Sequence, residues 1–194
     1  MIDRILNLSI FIVTLILMIR FFRKDGKWTA EKAGTIFRYF TVLSNCFCAL
    51  AALGVAIAPG QPVLWMMKYL GTVAVTVTML TVFLFLAPAY GTLLGLLKGY
   101  DLFMHLLTPL AAILTLCVFE RRPVSVPAAL SAVLPVIVYG FWYLYHITIA
   151  PEEKRWEDFY RFNQNGKWPV TYVAMTAAAS LLCLAYWGIL QIPG

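Results

Sequence analysis

Apolar residues form six long, nearly continuous runs along the chain, and short polar segments separate them. Each run is close to the ~20 residues that a helix needs to cross the hydrocarbon core of a bilayer. The pattern therefore predicts an all-α, polytopic membrane protein, in which a bundle of six transmembrane helices forms a single domain over residues 1–194. The predicted spans lie at about 5–22, 37–57, 68–88, 102–119, 126–146 and 169–190.

The composition supports this class and changes the meaning of the charge. Hydrophobic residues make up 62% of the chain and charged residues 12%, against about 25% charged in a soluble domain. The net charge of +6 comes from basic residues in the loops, where they meet anionic lipid head groups. We therefore expect the bilayer as a partner and no nucleic acid. The cysteines lie inside apolar runs, which favours buried thiols over a disulfide framework.

The basic residues predict an orientation. Eleven of the 15 lie on one side of the predicted membrane and four on the other, where Arg4, Lys68, Arg121 and Arg122 stand. By the positive-inside rule, the loops after the first, third and fifth spans face the cytoplasm and both termini lie outside. The first run follows MIDR without a small-residue cleavage site, so we expect a retained span. The eleven are Arg20, Arg23, Lys24, Lys27, Lys32, Arg38, Lys98, Lys154, Arg155, Arg161 and Lys167.

One face of the second run is polar where lipid would be expected. Arg38, Thr41 and Asn45 are spaced three and four residues apart, which puts them on one side of a helix. Ser44 follows Thr41 within one turn. A polar face inside a span must point at protein or water, so it is a candidate functional site.

The fourth run carries a second polar face. Asp101, His105 and Thr108 follow at i, i+4 and i+7, and Pro109 has no N–H for the His105 carbonyl, which predicts a disturbed helix. Asp101 is a candidate acceptor for the imidazole, where it would fix the tautomer. The predicted orientation puts His105 about one turn inside the membrane, at the depth of the polar face on the second run. His146, at the end of the fifth run, belongs to the same layer.

These residue types favour acyl transfer. A threonine hydroxyl becomes nucleophilic when a base takes its proton, and His105 is the candidate base for Thr41. Ser44 and Asn45 are candidate donors to an oxyanion, and Arg38 is a candidate partner for a carboxylate at the membrane surface. The expected substrate is a membrane lipid or fatty-acyl ester, and we expect no cofactor.

Two other classes remain open. A lipid-binding or transport bundle would use the same polar faces to line a ligand path without chemistry. A haem or metal redox protein would use His105 and His146, with Asp101 as a third metal ligand. Purely structural roles also remain open for these residues. The Thr41 hydroxyl would then bond to its own helix, Arg38 would extend to the lipid head groups, and His146 would lie at the membrane interface.

Two segments together resemble a known family. RYFTVLSN at the start of the second span and DLFMHLLTP at the start of the fourth are similar to the androgen-induced-gene family of six-span intramembrane threonine hydrolases. VLPVIVYGFWYLY, followed by a polar loop and NGKWP, also looks like the family's fifth span and loop.

The resemblance implies hydrolysis of fatty acid esters of hydroxy fatty acids, with Thr41 as nucleophile and His105 as base. Asp101 stands where the family more often has Asn, which puts the role of that position in question. The family has bacterial relatives with six spans, and we expect this chain in a bacterial inner membrane.

Overall fold

The computed structural model describes residues 1–24, 27–28 and 34–192, and Lys32 of the charge pattern lies outside them. The all-α prediction is confirmed, because six helices within this part of the chain are long and apolar enough to span a membrane. Two short antiparallel strands, β1 (Arg23–Lys24) and β2 (Lys27–Trp28), follow the first helix. The helices are α1 (Ile2–Phe21), α2 (Phe40–Ile57), α3 (Pro62–Tyr90), α4 (Tyr100–Phe119), α5 (Val126–Ile149) and α6 (Trp168–Gln191).

Successive helices run in opposite directions, so the bundle has two distinct ends. At one end, Asn7 near the start of α1 contacts Lys68 near the start of α3. At the other, Tyr139 of α5 donates a hydrogen bond of 2.7 Å to the carbonyl of Arg38, just before α2. We call these the Lys68 end and the Thr41 end.

Helix α3 is the centre of the bundle and packs against α2, α4, α5 and α6. Tyr69 and Val73 on this helix are fully buried in the core. Gly71 lets α2 approach closely, because a Cβ atom there would lie 2.8 Å from the Cα of Cys48. Small residues at such crossings are how membrane helices gain close packing.

Prolines inside α3 and α4 are accommodated by π-helical turns. Val82–Leu86 form a π segment just before Pro88, and Phe103–Leu107 form one just before Pro109. Proline lacks an N–H and its ring crowds the preceding turn, and the wider π turn relieves that conflict. The predicted disturbance of the fourth span therefore takes the form of a π segment.

The largest difference from the predicted spans is in α3, which begins at Pro62 rather than 68. Lys68 is not at the membrane surface but fully buried. Its ammonium donates to Asn7 and to the Thr115 hydroxyl, 2.9 Å away, and lies 4.0 Å from the Glu120 carboxylate. Asn7 also donates to Glu120, so the network joins α1, α3 and α4. Hydropathy alone places a lysine at the end of a membrane span. Lys68 can be buried because the Glu120 carboxylate pairs with its ammonium.

Removing one member of this pair should destabilise the bundle. Glu120→Gln leaves the Lys68 ammonium buried without its counter-ion, and we expect a loss of about 3 kcal/mol in the free energy of unfolding. The double variant Lys68→Met/Glu120→Gln should lose less, because no unpaired charge remains. Glu153→Gln, at an exposed loop position, should change stability by less than about 0.5 kcal/mol. Unfolding in mixed micelles measures all three, and equal losses in the single and double variants would contradict the pairing.

Candidate functional site

A cavity of about 80 Å³ lies at the Thr41 end, between α2, α3, α5 and α6. The loop between α5 and α6 covers it with Tyr160 and Phe162. Among the described residues that line it, none is charged and none is a histidine, and the polar side chains are all threonines and tyrosines. Such a wall favours a neutral, largely apolar ligand that is oriented by a few hydroxyls.

The cavity has room for part of a lipid only. A water-sized group takes roughly 10–15 Å³ of a cavity, so about five to eight such groups fit. Phe85 lines the cavity and exposes 51% of its surface on the outside of the bundle. A ligand with a longer apolar chain would therefore extend past Phe85 towards the lipid.

The start of α2 forms one wall of the cavity, and Thr41 is its second residue. The first N–H groups of a helix have no partner within the helix. Here the N–H of Phe40 donates to the Tyr160 hydroxyl, 3.1 Å away, and that hydroxyl also lies within hydrogen-bonding reach of the Thr41 side chain. Burial raises the pKa of the Tyr160 phenol, so it keeps its proton at neutral pH.

Asn45 ties Thr41 to α4. Its amide nitrogen donates to the carbonyl of Thr41 at 2.8 Å and to the carbonyl of Met104 at 3.1 Å. Met104 directly precedes the histidine of α4 and lies in the π segment ahead of the proline. Both amide hydrogens of Asn45 are engaged, which leaves it no donor for an oxyanion. The hydroxyl of Ser44 is paired with that of Thr78 at 2.9 Å.

His105 is half-buried in the π segment of α4 and is not among the residues that line the cavity. Its Nδ1 lies 2.8 Å from the carbonyl oxygen of Leu96. A carbonyl only accepts, so Nδ1 carries the proton and Nε2 of the neutral ring has a free lone pair. The orienting partner is thus Leu96 rather than Asp101, which is exposed. Thr41 and His105 have different partners, and the Asn45 amide joins the backbone of Thr41 to that of Met104, the residue before His105.

Arg38 and His146 belong to an aromatic cluster beside the cavity. The indole of Trp156 stacks on His146 with ring centroids 4.0 Å apart, and the Arg38 guanidinium lies 5.6 Å from the same indole. Nδ1 of His146 lies 3.1 Å from the carbonyl of Lys154. The two histidines have separate surroundings, and no group of three metal-ligating side chains is found in the described part of the chain.

The loop between α5 and α6 contributes residues that the sequence prediction missed. Asp158 accepts hydrogen bonds from the Tyr143 hydroxyl at 2.9 Å and from the N–H groups of Phe162 and Asn163 at 2.7 Å each. These bonds fold the loop over the cavity and set Tyr160 against Thr41. The available signal was the run of aromatic residues inside an otherwise polar segment: Trp156, Phe159, Tyr160 and Phe162.

Asp158→Ala should loosen the loop without unfolding the bundle. Hydrogen bonds to a carboxylate contribute about 1.5–3 kcal/mol each, and we expect tryptic cleavage after Arg155 and Arg161 to become roughly tenfold faster. Glu157→Ala, at an exposed neighbouring position, should leave the cleavage rate unchanged. Limited proteolysis followed by mass spectrometry measures both, and equal rates in the two variants would contradict the anchoring role.

No family model matches this sequence, and neither does any curated protein or solved structure.

Proposed function

We propose that this protein is an intramembrane hydrolase of fatty-acyl esters, with Thr41 as the nucleophile and His105 as the base. One observation carries the proposal: the Thr41 side chain lines a cavity of neutral, apolar character between transmembrane helices. A lipid ester would enter from the bilayer with its apolar part against the aromatic wall. Fatty acid esters of hydroxy fatty acids, which the family resemblance implies, are substrates of this kind.

The surroundings of His105 support its role as base. The hydrogen bond from Nδ1 to Leu96 fixes the tautomer, and Nε2 keeps the lone pair that can take a proton. Asn45 joins the backbones at Thr41 and Met104, next to His105, and so holds the two helices in register at this depth. Proton transfer requires the imidazole and the threonine hydroxyl to approach each other when the ester binds.

A lipid-binding bundle without chemistry is the second candidate. The observation that favours it is that His105 bonds to Leu96 and does not line the cavity that contains Thr41. The cavity can therefore hold an acyl chain in a neutral pocket without any contribution from His105. This candidate expects retention of a lipid through purification and no covalent reaction at Thr41.

Covalent labelling separates the two candidates. A fluorophosphonate probe should label the purified protein in nanodiscs, and Thr41→Ala and His105→Ala should each abolish labelling while the protein stays folded. Thr148→Ala removes a threonine that bonds to its own helix at Leu144, outside the cavity, and should label like the wild type. In-gel fluorescence gives the extent, and peptide mass spectrometry gives the modified residue.

Three results would contradict parts of the proposal. Labelling that survives Thr41→Ala would overturn the assignment of Thr41 as the nucleophile. Labelling that survives His105→Ala would overturn the base alone. A folded wild-type protein that binds lipid and never reacts would favour the lipid-binding candidate.

We further propose a bacterial inner membrane as the location, with both termini outside and the loops of the Thr41 end in the cytoplasm. Burial of Lys68 removes one of the four charges on the opposite side, which strengthens the bias behind this orientation. An alkaline phosphatase fused after residue 192 should be active in cells, and one fused in the 150–167 loop should be inactive. The reverse pattern would contradict the orientation.

A further inference from the structure

Acyl transfer requires a hydrogen-bond donor aimed at the oxyanion that forms when the nucleophile attacks. Many hydroxyls in the cavity wall already donate elsewhere. Tyr139 donates to the Arg38 carbonyl at 2.7 Å, and Tyr143 donates to the Asp158 carboxylate at 2.9 Å. The Asn45 amide is fully engaged as well. The donor must therefore come from another group beside Thr41.

Tyr160 differs from these groups in its partners, which are hydroxyls and backbone N–H groups rather than a carbonyl or a carboxylate. It accepts a hydrogen bond from the Phe40 N–H at 3.1 Å, and its hydroxyl is also hydrogen-bonded to that of Tyr139. Because a negatively charged oxygen accepts a stronger hydrogen bond than a neutral hydroxyl, Tyr160 can redirect its proton to an oxyanion. It lies within hydrogen-bonding reach of the Thr41 hydroxyl, where attack would occur, and it lines the cavity. The phenol is clamped by aromatic contacts to Tyr143 and Phe159, with ring centroids 5.3 Å and 4.7 Å away.

The position at the start of α2 makes this hydroxyl a strong donor. The N-terminus of a helix carries a partial positive charge, and a hydroxyl that accepts a bond from a helix N–H is polarised to donate more strongly. Because burial raises the pKa of Tyr160, the group stays protonated as negative charge develops nearby.

We infer that Tyr160 is a further catalytic residue, the donor to the oxyanion of the reaction, and this inference rests on the proposed function. As the bond from Thr41 Oγ to the ester carbon forms, the threonine proton moves to Nε2 of His105 and the carbonyl electron pair moves onto its oxygen. Tyr160 donates a hydrogen bond to that oxygen and keeps its proton. Collapse expels the alcohol, which takes the proton from His105, and water then releases the acid from Thr41 by the same steps.

Tyr160→Phe tests the inference because it keeps the ring in its aromatic surroundings and removes only the hydroxyl. With p-nitrophenyl butyrate, whose four-carbon acyl chain suits the cavity, we expect kcat to fall about 100-fold with KM nearly unchanged, because the lost bond forms only in the transition state. Labelling of Thr41 by the fluorophosphonate should slow by a similar factor. Tyr145→Phe, an exposed tyrosine at the same end and outside the cavity wall, should behave as wild type.

The outcomes separate this inference from the proposed function. Equal kcat in Tyr160→Phe and wild type, with Thr41 still labelled, would overturn the role of Tyr160 alone. A wild-type protein that neither hydrolyses the ester nor becomes labelled would overturn the proposed function and this inference with it. A larger KM with unchanged kcat would identify Tyr160 as a packing residue and overturn the inference.

A second measurement covers the case in which the phenylalanine variant fails to fold. Difluorotyrosine at position 160 keeps the ring and the hydroxyl and lowers the phenol pKa. If the proton of Tyr160 is needed, activity is lost as the phenol ionises, so the alkaline limb of the kcat profile should move to lower pH. An unchanged limb would overturn the inference.

Discussion

The bundle depends on the rule that no backbone polar group can be left unpaired in lipid, and the clearest case is the carbonyl of Met104. In the π segment the Thr108 N–H bonds to the Phe103 carbonyl, so in the same register the Met104 carbonyl would need the N–H of residue 109, which is a proline. Asn45 of α2 donates to this carbonyl and, through the same nitrogen, to that of Thr41. One side chain thus repairs a defect in α4 and fixes the height of α2 against it.

The same rule acts at both ends of the bundle with different chemistry. At the Lys68 end, a buried ammonium is balanced by Glu120 and further held by Asn7 and Thr115. At the Thr41 end, the free N–H groups at the start of α2 are met by the Tyr160 hydroxyl, which arrives from a loop. The first arrangement supports stability. The second leaves hydroxyl groups facing a cavity, as the proposed acyl transfer requires.

The candidate site therefore consists of two groups of residues from distant segments of the chain, and only one of the groups lines the cavity. Thr41 belongs to the cavity and His105 to the adjacent π segment of α4, and the Asn45 amide links the carbonyls of Thr41 and Met104. Tyr160 completes the cavity from the 150–167 loop, which Asp158 holds in place. The proposed chemistry uses hydroxyls and an imidazole only, in keeping with the neutral wall of the cavity.

The sequence by itself determined the helical class, the number of spans and the positions most worth testing, because span length and helical spacing are local properties. It misjudged the start of α3, because hydropathy cannot show that Lys68 has a counter-ion 52 residues away in Glu120. The sequence also pointed to Asn45 as the donor to an oxyanion and to Asp101 as the partner of the His105 imidazole. Only the tertiary structure decided which donors were already engaged and that Tyr160 meets Thr41, since hydrogen-bond partners across helices depend on packing that no local pattern contains.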